Sequence, residues 1–200
     1  MAPMLNTPDS TFAERAKRLS LLLLDVDGVM TDGRLYFSED GQESKAFSVL
    51  DGLGIKLLQR AGIRVGLISG RQTNLVVRRA RALGLDPIIQ GREDKWEALC
   101  EWQSTPGQSS SEPAIPLDNI GFMGDDWPDL TIMTRVGLAL TPANAHPDVA
   151  SRAHWQSKNR GGEGAVREAC DAILKARHEY DQLLSAYLAP DAATRHHGES

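Results

Sequence analysis

Short apolar runs alternate along this chain with longer stretches in which apolar residues recur at helical spacing. The apolar runs are LLLLDV, IRVGLIS, PIIQ, NIGFMG and GLALT. The stretches between them are GLGIKLLQRAG, TNLVVRRARALG, DKWEALCEWQ and DLTIMTRV. Nearly continuous apolar runs that are separated by helices predict parallel strands buried on both faces. The pattern therefore predicts an α/β fold with a doubly wound, Rossmann-like parallel sheet and a ligand site at the carboxyl ends of its strands.

Two segments interrupt this alternation. After the first strand, RLYFS and SKAFSVL flank the turn-like EDGQ, which predicts a β-hairpin that projects over the strand ends as a small flap. Residues 104–119, rich in Ser and Pro, predict an exposed loop. The last residues, which include His196 and His197, predict a solvated tail.

Composition changes this picture mainly by exclusion. A chain of 200 residues that is 41% hydrophobic has the material for one ordinary core, so we expect a single domain. No stretch reaches the roughly 18 apolar residues of a membrane span, and the amino terminus lacks the apolar core of a secretory signal, so we expect a cytoplasmic protein with no membrane partner. The formal charge of -5 disfavours a nucleic-acid partner. Cys100 and Cys170 lie far apart without a CxxC pattern and predict free thiols.

Carboxylates cluster after two of the predicted strands. Asp25 and Asp27 follow the leucine run, and GDDWPD at 124–129 follows a later apolar run. Such carboxylates repel one another unless a cation lies between them or one is protonated. Oxygen ligands beside a phosphate group favour Mg²⁺. A single Asp after a strand commonly caps a helix, but the two clusters together favour a metal site.

Four ordered motifs resemble those of the haloacid dehalogenase superfamily of phosphotransferases. They are DVDGVMTDG, ISGR, the lysine of GREDKWEAL and GDDWPD. Three further features are VMTDG with its following hairpin, SVLDGLGIKLL and GGEGAVREAC. They resemble more closely the 3-deoxy-D-manno-octulosonate 8-phosphate phosphatases of lipopolysaccharide synthesis. The similarity covers roughly residues 18–180, which we take as the domain, with 1–17 and 189–200 as flexible termini.

The resemblance implies Mg²⁺-dependent hydrolysis of 3-deoxy-D-manno-octulosonate 8-phosphate through an aspartyl phosphate. Asp25 would be the nucleophile, and Asp27 would protonate the leaving oxygen and then activate water. The Asp25 carboxylate, the Asp27 backbone carbonyl and Asp125 would hold the metal ion. Lys95 would stabilise the aspartyl phosphate.

The resemblance also implies the groups that bind the substrate. Ser69 and Gly70 would offer a hydroxyl and a backbone N–H to the phosphoryl oxygens, at a helix N-terminus. Asp126 would lie beside the substrate, whereas Asp129 would orient Lys95 or backbone groups. The residues that match the family's sugar-acid contacts are Ser48, Val49, Leu50, Asp51, Gly52, Lys56, Arg71 and Arg79. Arg78, Arg79 and Arg81 together also fit a solvated helix face, and this alternative stays open.

Compact members of this family lack a large cap domain and form homotetramers, which the resemblance implies here as well. Exposed apolar residues of the hairpin favour such an assembly; they are Leu35, Phe37, Phe47 and Val49. The Gly cluster at Gly161 fits a turn near the site, a subunit contact or a plain start of a helix.

Other functions fit parts of the sequence. A phosphatase for a nine-carbon sugar acid 9-phosphate would carry the same motifs, because the motifs bind only the phosphoryl group. A non-catalytic oligomerisation module of a sugar-nucleotide pathway is disfavoured by the intact set of catalytic residues. A mutase or a phosphonatase is disfavoured by the missing cap domain.

Overall fold

The computed structural model describes residues 10–105 and 114–189. Its strands are β1 Leu21–Leu24, β2 Tyr36–Phe37, β3 Glu43–Ser44, β4 Arg64–Ser69, β5 Ile88–Gln90, β6 Ile120–Met123, β7 Leu138–Thr141 and β8 Trp155–Gln156. Six of them form one parallel sheet in the order β5-β4-β1-β6-β7-β8. This sheet confirms the predicted doubly wound α/β fold. The five predicted apolar runs coincide with strands, and the short edge strand β8 is an addition to the prediction.

Helices cover both faces of the sheet. They are α1 Ser10–Arg18, α2 Val49–Arg60, α3 Asn74–Leu83, α4 Lys95–Ser104, α5 Leu130–Met133, α6 Pro147–Ala150, α7 Ala165–Ala176 and α8 Tyr180–Leu188. One core lies between the sheet and α1, α2, α3 and α7, and the other lies between the sheet and α4, α5 and α6.

The leucine run of β1 serves both cores. Leu22 and Leu24 point into one core, and Leu21 and Leu23 point into the other, because successive side chains of a strand alternate between its faces. All of these leucines have 0% of their surface exposed. The strand is therefore held on both sides, which fixes the position of Asp25 just beyond its end.

The hairpin between β1 and α2 is present but shorter than predicted. Strands β2 and β3 pair antiparallel over two residues each. The prediction that SKAFSVL is a strand to its end is wrong, because the Ser48 side chain caps a helix. Its oxygen accepts hydrogen bonds from the backbone N–H groups of Leu50 at 3.2 Å and Asp51 at 3.4 Å, so α2 begins at Val49. The function of the hairpin as a flap stays a prediction.

The amino-terminal boundary of the domain also differs from the prediction. Residues 10–17 were expected to be flexible, but they form most of α1, where Phe12 and Ala16 are buried in the core. Arg177 at the end of α7 fastens α1 by donating a hydrogen bond to the Ala16 carbonyl oxygen at 3.3 Å. The prediction is wrong here because the boundary was placed at the start of the family similarity, whereas Phe12 and Ala16 lie four positions apart and so share one face of a helix that begins before it.

Several predictions fall partly or wholly outside the described residues. These are the flexible segment at 1–9, the centre of the predicted loop at 106–113, and the tail at 190–200 with His196 and His197. Within the residues that the structure describes, Cys100 and Cys170 are free, as predicted. No helix in this part of the chain is long and apolar enough to cross a membrane.

Candidate active site

Polar side chains gather in a cleft at the carboxyl ends of β1, β4 and β6. The cleft has a volume of about 200 Å³. Its lining residues are Asp25, Asp27, Ser69, Gly70, Arg71, Glu93, Lys95, Asp125, Asp126, Pro128 and Asp129. The structure thus brings most of the predicted catalytic, metal-binding and phosphate-binding residues to one place, where a doubly wound sheet binds its ligands.

The turn after β1 presents the first two aspartates. Three successive N–H groups, at residues 29–31, donate to the carbonyl oxygen of Val26 and close the turn directly after the strand. Gly28 within this turn has a φ of +102°, and a Cβ atom there would lie 2.1 Å from an oxygen of Asp125. A glycine is therefore required at this position, because the turn and the Asp125 carboxylate approach each other closely.

Lys95 lies at the centre of the cleft, at the start of α4. Its ammonium group donates a hydrogen bond to Asp25 Oδ1 at 2.6 Å and another to Asp129 Oδ1. The other oxygen of Asp129 accepts the backbone N–H groups of Asp125 at 2.9 Å and Asp126 at 3.2 Å. Asp129 therefore orients both the lysine and the loop after β6. The Asp126 side chain caps the turn at 127–129 by accepting the N–H of Trp127 at 2.8 Å.

The electrostatics of the cleft show an excess of buried negative charge. Burial raises the pKa of Asp25 to about 7 against the opposing effect of Lys95, and the charge of Asp129 adds a smaller increase. Burial likewise raises the pKa of Asp125 to about 8, and the charges of Asp25 and Asp129 add to this effect. Burial alone would lower the pKa of Lys95, but the two carboxylates that it contacts raise it above its usual value. One lysine thus leaves the carboxylates incompletely compensated.

The arrangement of the carboxylates fits a hard divalent cation. In the described chain, oxygen atoms of Asp25, Asp125 and Asp129 all lie within 4.8 Å of one another. Carboxylate oxygens at this spacing are ligands that Mg²⁺ accepts, and a bound cation would remove the repulsion between them. This set contains carboxylate oxygens alone, so the predicted contribution of the Asp27 backbone carbonyl stays a prediction. Asp129 is already engaged by Lys95 and two backbone N–H groups, so it is the weaker ligand of the three.

Asp27 lies at the edge of the cleft and contacts a residue that the sequence analysis missed. Lys45, directly after β3 in the hairpin, donates a hydrogen bond to Asp27 Oδ1. The Lys45 side chain is 1% exposed, and Glu43 Oε1 lies 3.4 Å from its ammonium nitrogen. Glu43 in turn forms an ion pair with Arg71 at 2.9 Å. The only signal in the sequence was a lysine in an otherwise apolar exit from the hairpin.

Ser69 and Gly70 reach the cleft from the end of β4. Ser69 is buried, and both residues line the cleft beside Asp25 and Lys95. The prediction that they sit at the N-terminus of a helix is wrong, because α3 begins at Asn74 and Thr73 is its cap. Their binding of phosphoryl oxygens stays a prediction.

The predicted sugar-acid contacts divide into two groups. Arg71 lines the cleft, and Val49 and Leu50 are exposed at the start of α2. Arg79 donates a hydrogen bond to the Ser48 carbonyl oxygen at 3.0 Å and so fastens the hairpin exit to α3. Of these residues Arg71 lines the cleft, and the contact of the others with a sugar stays a prediction.

Other predicted contacts face away from the cleft in this chain. Asp51 is 2% exposed and accepts the backbone N–H of Arg167 at 2.8 Å, which ties α2 to α7. The ammonium group of Lys56 lies near Gly84, at the end of α3 remote from the cleft. Gly52 packs against Arg79, since a Cβ at Gly52 would lie 2.6 Å from Nη2 of that arginine. The geometry therefore gives these residues structural contacts.

The glycine cluster before α7 supports the aspartate turn. Gly162 donates its backbone N–H to the Val29 carbonyl oxygen at 3.0 Å. A Cβ atom on Gly161 would lie 1.7 Å from the Gly28 carbonyl oxygen. The Asn144 side chain accepts a hydrogen bond from the Gly161 N–H at 2.7 Å, which joins the loop after β7 to the glycine cluster. The cluster is thus the floor beneath the turn that carries Asp25 and Asp27.

Replacing Gly161 by Ala should displace this turn. Because the new methyl group would overlap the Gly28 carbonyl, we expect a loss of about 1–3 kcal/mol in the free energy of unfolding, measured by urea denaturation. Glu163→Ala is the control, since Glu163 is an exposed residue of the same glycine cluster. If Gly161→Ala were no more destabilising than this control, the glycine cluster and the aspartate turn would not be in close contact.

The sheet, the aspartate turn and the lysine that joins two strand-end carboxylates define a haloacid dehalogenase-like hydrolase domain. No protein-family model matches the chain. The chain is 40% identical over 168 residues to the 3-deoxy-D-manno-octulosonate 8-phosphate phosphatase of Yersinia pestis, covering 84% of this chain and 86% of that protein. The chain belongs to the 3-deoxy-D-manno-octulosonate 8-phosphate phosphatase family.

Solved structures agree with this assignment. The phosphatase of Moraxella catarrhalis, solved in complex with magnesium, phosphate and 3-deoxy-D-manno-octulosonate (KDO), superposes with a TM-score of 0.81 at 36% identity and covers 88% of this chain and 97% of its own. The cobalt-bound phosphatase of Haemophilus influenzae superposes with a TM-score of 0.77 at 30% identity over 90% and 99% of the two chains. The predicted superfamily, family and fold are confirmed.

Proposed function

We propose that this protein is a Mg²⁺-dependent phosphatase that hydrolyses 3-deoxy-D-manno-octulosonate 8-phosphate to the free sugar acid and phosphate. The observation that carries the proposal is Lys95, which joins Asp25 to Asp129 in a cleft where Asp125 leaves an excess of negative charge. Relatives at about 40% identity carry the name of this activity. We place the reaction in the cytoplasmic part of lipopolysaccharide synthesis, as the sequence predicted.

Three groups would hold the metal ion. We assign the carboxylates of Asp25 and Asp125 and the backbone carbonyl of Asp27, with Asp129 supporting them through the Asp125 N–H. A bound Mg²⁺ neutralises charge between the nucleophile and the phosphate dianion, which would otherwise repel each other.

The aspartates then divide the reaction into two steps. Asp25 Oδ1 accepts the Lys95 hydrogen bond, so Oδ2 is the oxygen free to attack phosphorus. The bond from phosphorus to the sugar oxygen breaks, and Asp27 gives its proton to that oxygen. Asp27 next takes a proton from water, which attacks the aspartyl phosphate and restores the Asp25 carboxylate. Ser69, Gly70 and Lys95 hold the phosphoryl oxygens in both steps.

The sugar portion would lie between the hairpin and the loop after β4. We assign Arg71 to the carboxylate of the substrate, because a guanidinium group binds a carboxylate through two parallel hydrogen bonds. Asp126 also lines the cleft, and in this proposal it accepts a hydrogen bond from a sugar hydroxyl.

Phosphate release from a panel of esters tests the proposed function. The panel contains 3-deoxy-D-manno-octulosonate 8-phosphate, a sialic acid 9-phosphate and simple sugar phosphates, each with Mg²⁺ or with EDTA. We expect a strong, metal-dependent preference for the octulosonate ester. Preference for the nine-carbon ester would assign a different sugar acid to the same chemistry. No turnover by folded protein would indicate a non-catalytic module.

Metal binding should reverse the effect of one substitution on stability. A carboxyl group whose pKa is higher in the folded than in the unfolded protein lowers the free energy of unfolding once it is ionised. This loss grows as pH rises from the pKa of the unfolded state through the pKa of the folded state. At about pH 8 in EDTA, Asp125→Asn should therefore melt at a higher temperature than the wild type, because the raised pKa of Asp125 is about 8. In saturating Mg²⁺ the order should invert, since the variant lacks a metal ligand. Equal Mg²⁺-dependent shifts in both proteins would remove Asp125 from the ligand set.

We also propose that the protein assembles through its hairpin into a homotetramer. Apolar side chains that are exposed on the hairpin and at the start of α2 support this proposal; they are Leu35, Phe37, Val49 and Leu50. Phe47, which was predicted to belong to this surface, instead packs against the core. We expect Phe37→Glu to reduce the mass measured by sedimentation, whereas Glu39→Gln in the same hairpin should not. A wild-type monomer at the same concentration would contradict the assembly.

A further inference from the structure

A buried lysine of the hairpin contacts the general acid of the proposed reaction. The Lys45 side chain is 1% exposed, whereas lysine is rarely buried to this extent without a charged partner. Among the described residues, 10–105 and 114–189, the side chain that donates a hydrogen bond to the Asp27 carboxylate is that of Lys45. The hairpin therefore contacts the proposed general acid through the ammonium group of Lys45.

Lys45 is itself held from behind. Glu43 Oε1 lies 3.4 Å from its nitrogen, and Glu43 Oε2 pairs with Arg71 at 2.9 Å. Arg71 follows β4, so the chain of charges joins the loop after β4, the hairpin and the aspartate turn. These contacts hold the lysine in place, because displacing its side chain, which is 1% exposed, would separate a buried ammonium group from its two carboxylate partners.

We propose that Lys45 is a positioning residue for Asp27, which determines which oxygen of that carboxyl group meets the leaving group. This inference rests on the proposed function. Lys45 donates to Oδ1, which leaves Oδ2 as the oxygen that faces the leaving group in this proposal. As the bond between phosphorus and the sugar oxygen breaks, the proton moves from Oδ2 to the sugar oxygen, and the electron pair of the broken bond forms the new O–H bond.

Two other functions of Lys45 would leave different kinetic signatures. A lysine that contacted the phosphoryl group would stabilise the transition state for every ester. A lysine that only held the hairpin in place would alter binding of the sugar and change KM more than kcat. A lysine that positions Asp27 affects the first step, in which the alcohol leaves, only where the leaving group needs a proton, whereas its effect on the later attack of water is the same for every ester. The ratio kcat/KM reports the first step alone, because that step is the first irreversible one.

The leaving group therefore provides the test. We compare Lys45→Met with the wild type on 3-deoxy-D-manno-octulosonate 8-phosphate and on p-nitrophenyl phosphate, whose phenolate departs without a proton. We expect kcat/KM for the sugar ester to fall about 10- to 100-fold, since a misplaced general acid loses most of its contribution. For the aryl ester we expect kcat/KM to change by about threefold or less, because its phenolate leaves without a proton. Lys45→Arg, which keeps a charged donor, should restore part of the lost kcat/KM.

Controls separate this function from a structural one. Glu39→Gln alters an exposed charge of the same hairpin and should leave both kcat values unchanged. Thermal melting of each variant confirms that it is folded. Equal losses of kcat/KM on both esters would overturn the proposal in favour of a phosphate contact, and a loss for the sugar ester that lies entirely in KM would overturn it in favour of sugar binding.

A double substitution completes the test. In an Asp27→Asn background, Lys45→Met should cost no further kcat on the sugar ester, because the group that it positions is gone. Additive losses would overturn the proposal. Failure of the proposed function looks different, since the wild type would then show no metal-dependent turnover of the octulosonate ester whatever residue stood at position 45.

Discussion

Asp25→Asn is expected to lower kcat for 3-deoxy-D-manno-octulosonate 8-phosphate by at least about 10⁴-fold. Asp25 ends the central strand with its carboxylate beside Lys95, and an amide nitrogen or oxygen in its place cannot form the aspartyl phosphate. Release of phosphate under saturating Mg²⁺ measures the loss. A rapid acid quench with labelled substrate should trap a phosphorylated protein in the wild type and none in the variant.

Asp86→Asn serves as the matched control for this substitution. Asp86 pairs with Arg64 at the opposite end of the sheet and lies outside the cleft. We expect its kcat to equal that of the wild type. Substantial turnover by Asp25→Asn, together with a labelled wild-type protein, would show that another residue carries the phosphate.

Lys95→Met is expected to give the largest loss of stability. Lys95 is 4% exposed and is the cation between Asp25 and Asp129, so its removal leaves two buried carboxylates facing each other. Breaking a buried ion pair from one side typically costs about 3–5 kcal/mol, and we expect a loss of this size in the free energy of unfolding in EDTA. Urea denaturation with and without Mg²⁺ measures it.

The metal ion should offset part of this loss. Because Mg²⁺ would supply positive charge to Asp25, the difference between Lys95→Met and the wild type should shrink when Mg²⁺ is added, although kcat should remain low. Lys17→Met, at an exposed position of α1, should match the wild type in both conditions. A loss for Lys95→Met no larger than that of this control would mean that the carboxylates are not repelling each other.

The residues that follow strands were predictable because their positions depend on the sheet alone. Asp25, Ser69 and Asp125 each end or follow a buried strand, and parallel strands place their carboxyl ends together in any doubly wound sheet. The fold class needed only the period of the apolar residues. The start of α2 depended on the Ser48 cap, which apolar periodicity does not encode. The helix α1 does carry a periodic apolar face, but it lies before the motifs from which the domain boundary was set.

Residues on the hairpin and the surrounding helices were harder to predict because their contacts depend on how the chain folds back. Lys45 meets Asp27 across 18 positions of sequence. Asp51 follows the hairpin directly, yet helical geometry turns it toward Arg167 and away from the cleft. No local pattern distinguishes a lysine or aspartate that will face the cleft from one that will not.

The glycine floor beneath the aspartate turn has a consequence for how the enzyme is made. Gly161 and Gly162 contact the Gly28 and Val29 backbone, although more than a hundred residues separate them in the chain. A ribosome-bound chain that ends before Gly161 already contains every predicted catalytic aspartate and Lys95, but its nucleophile turn has nothing beneath it. The turn that carries Asp25 and Asp27 therefore gains this support only when the last fifth of the chain, from Gly161 onward, has been synthesised.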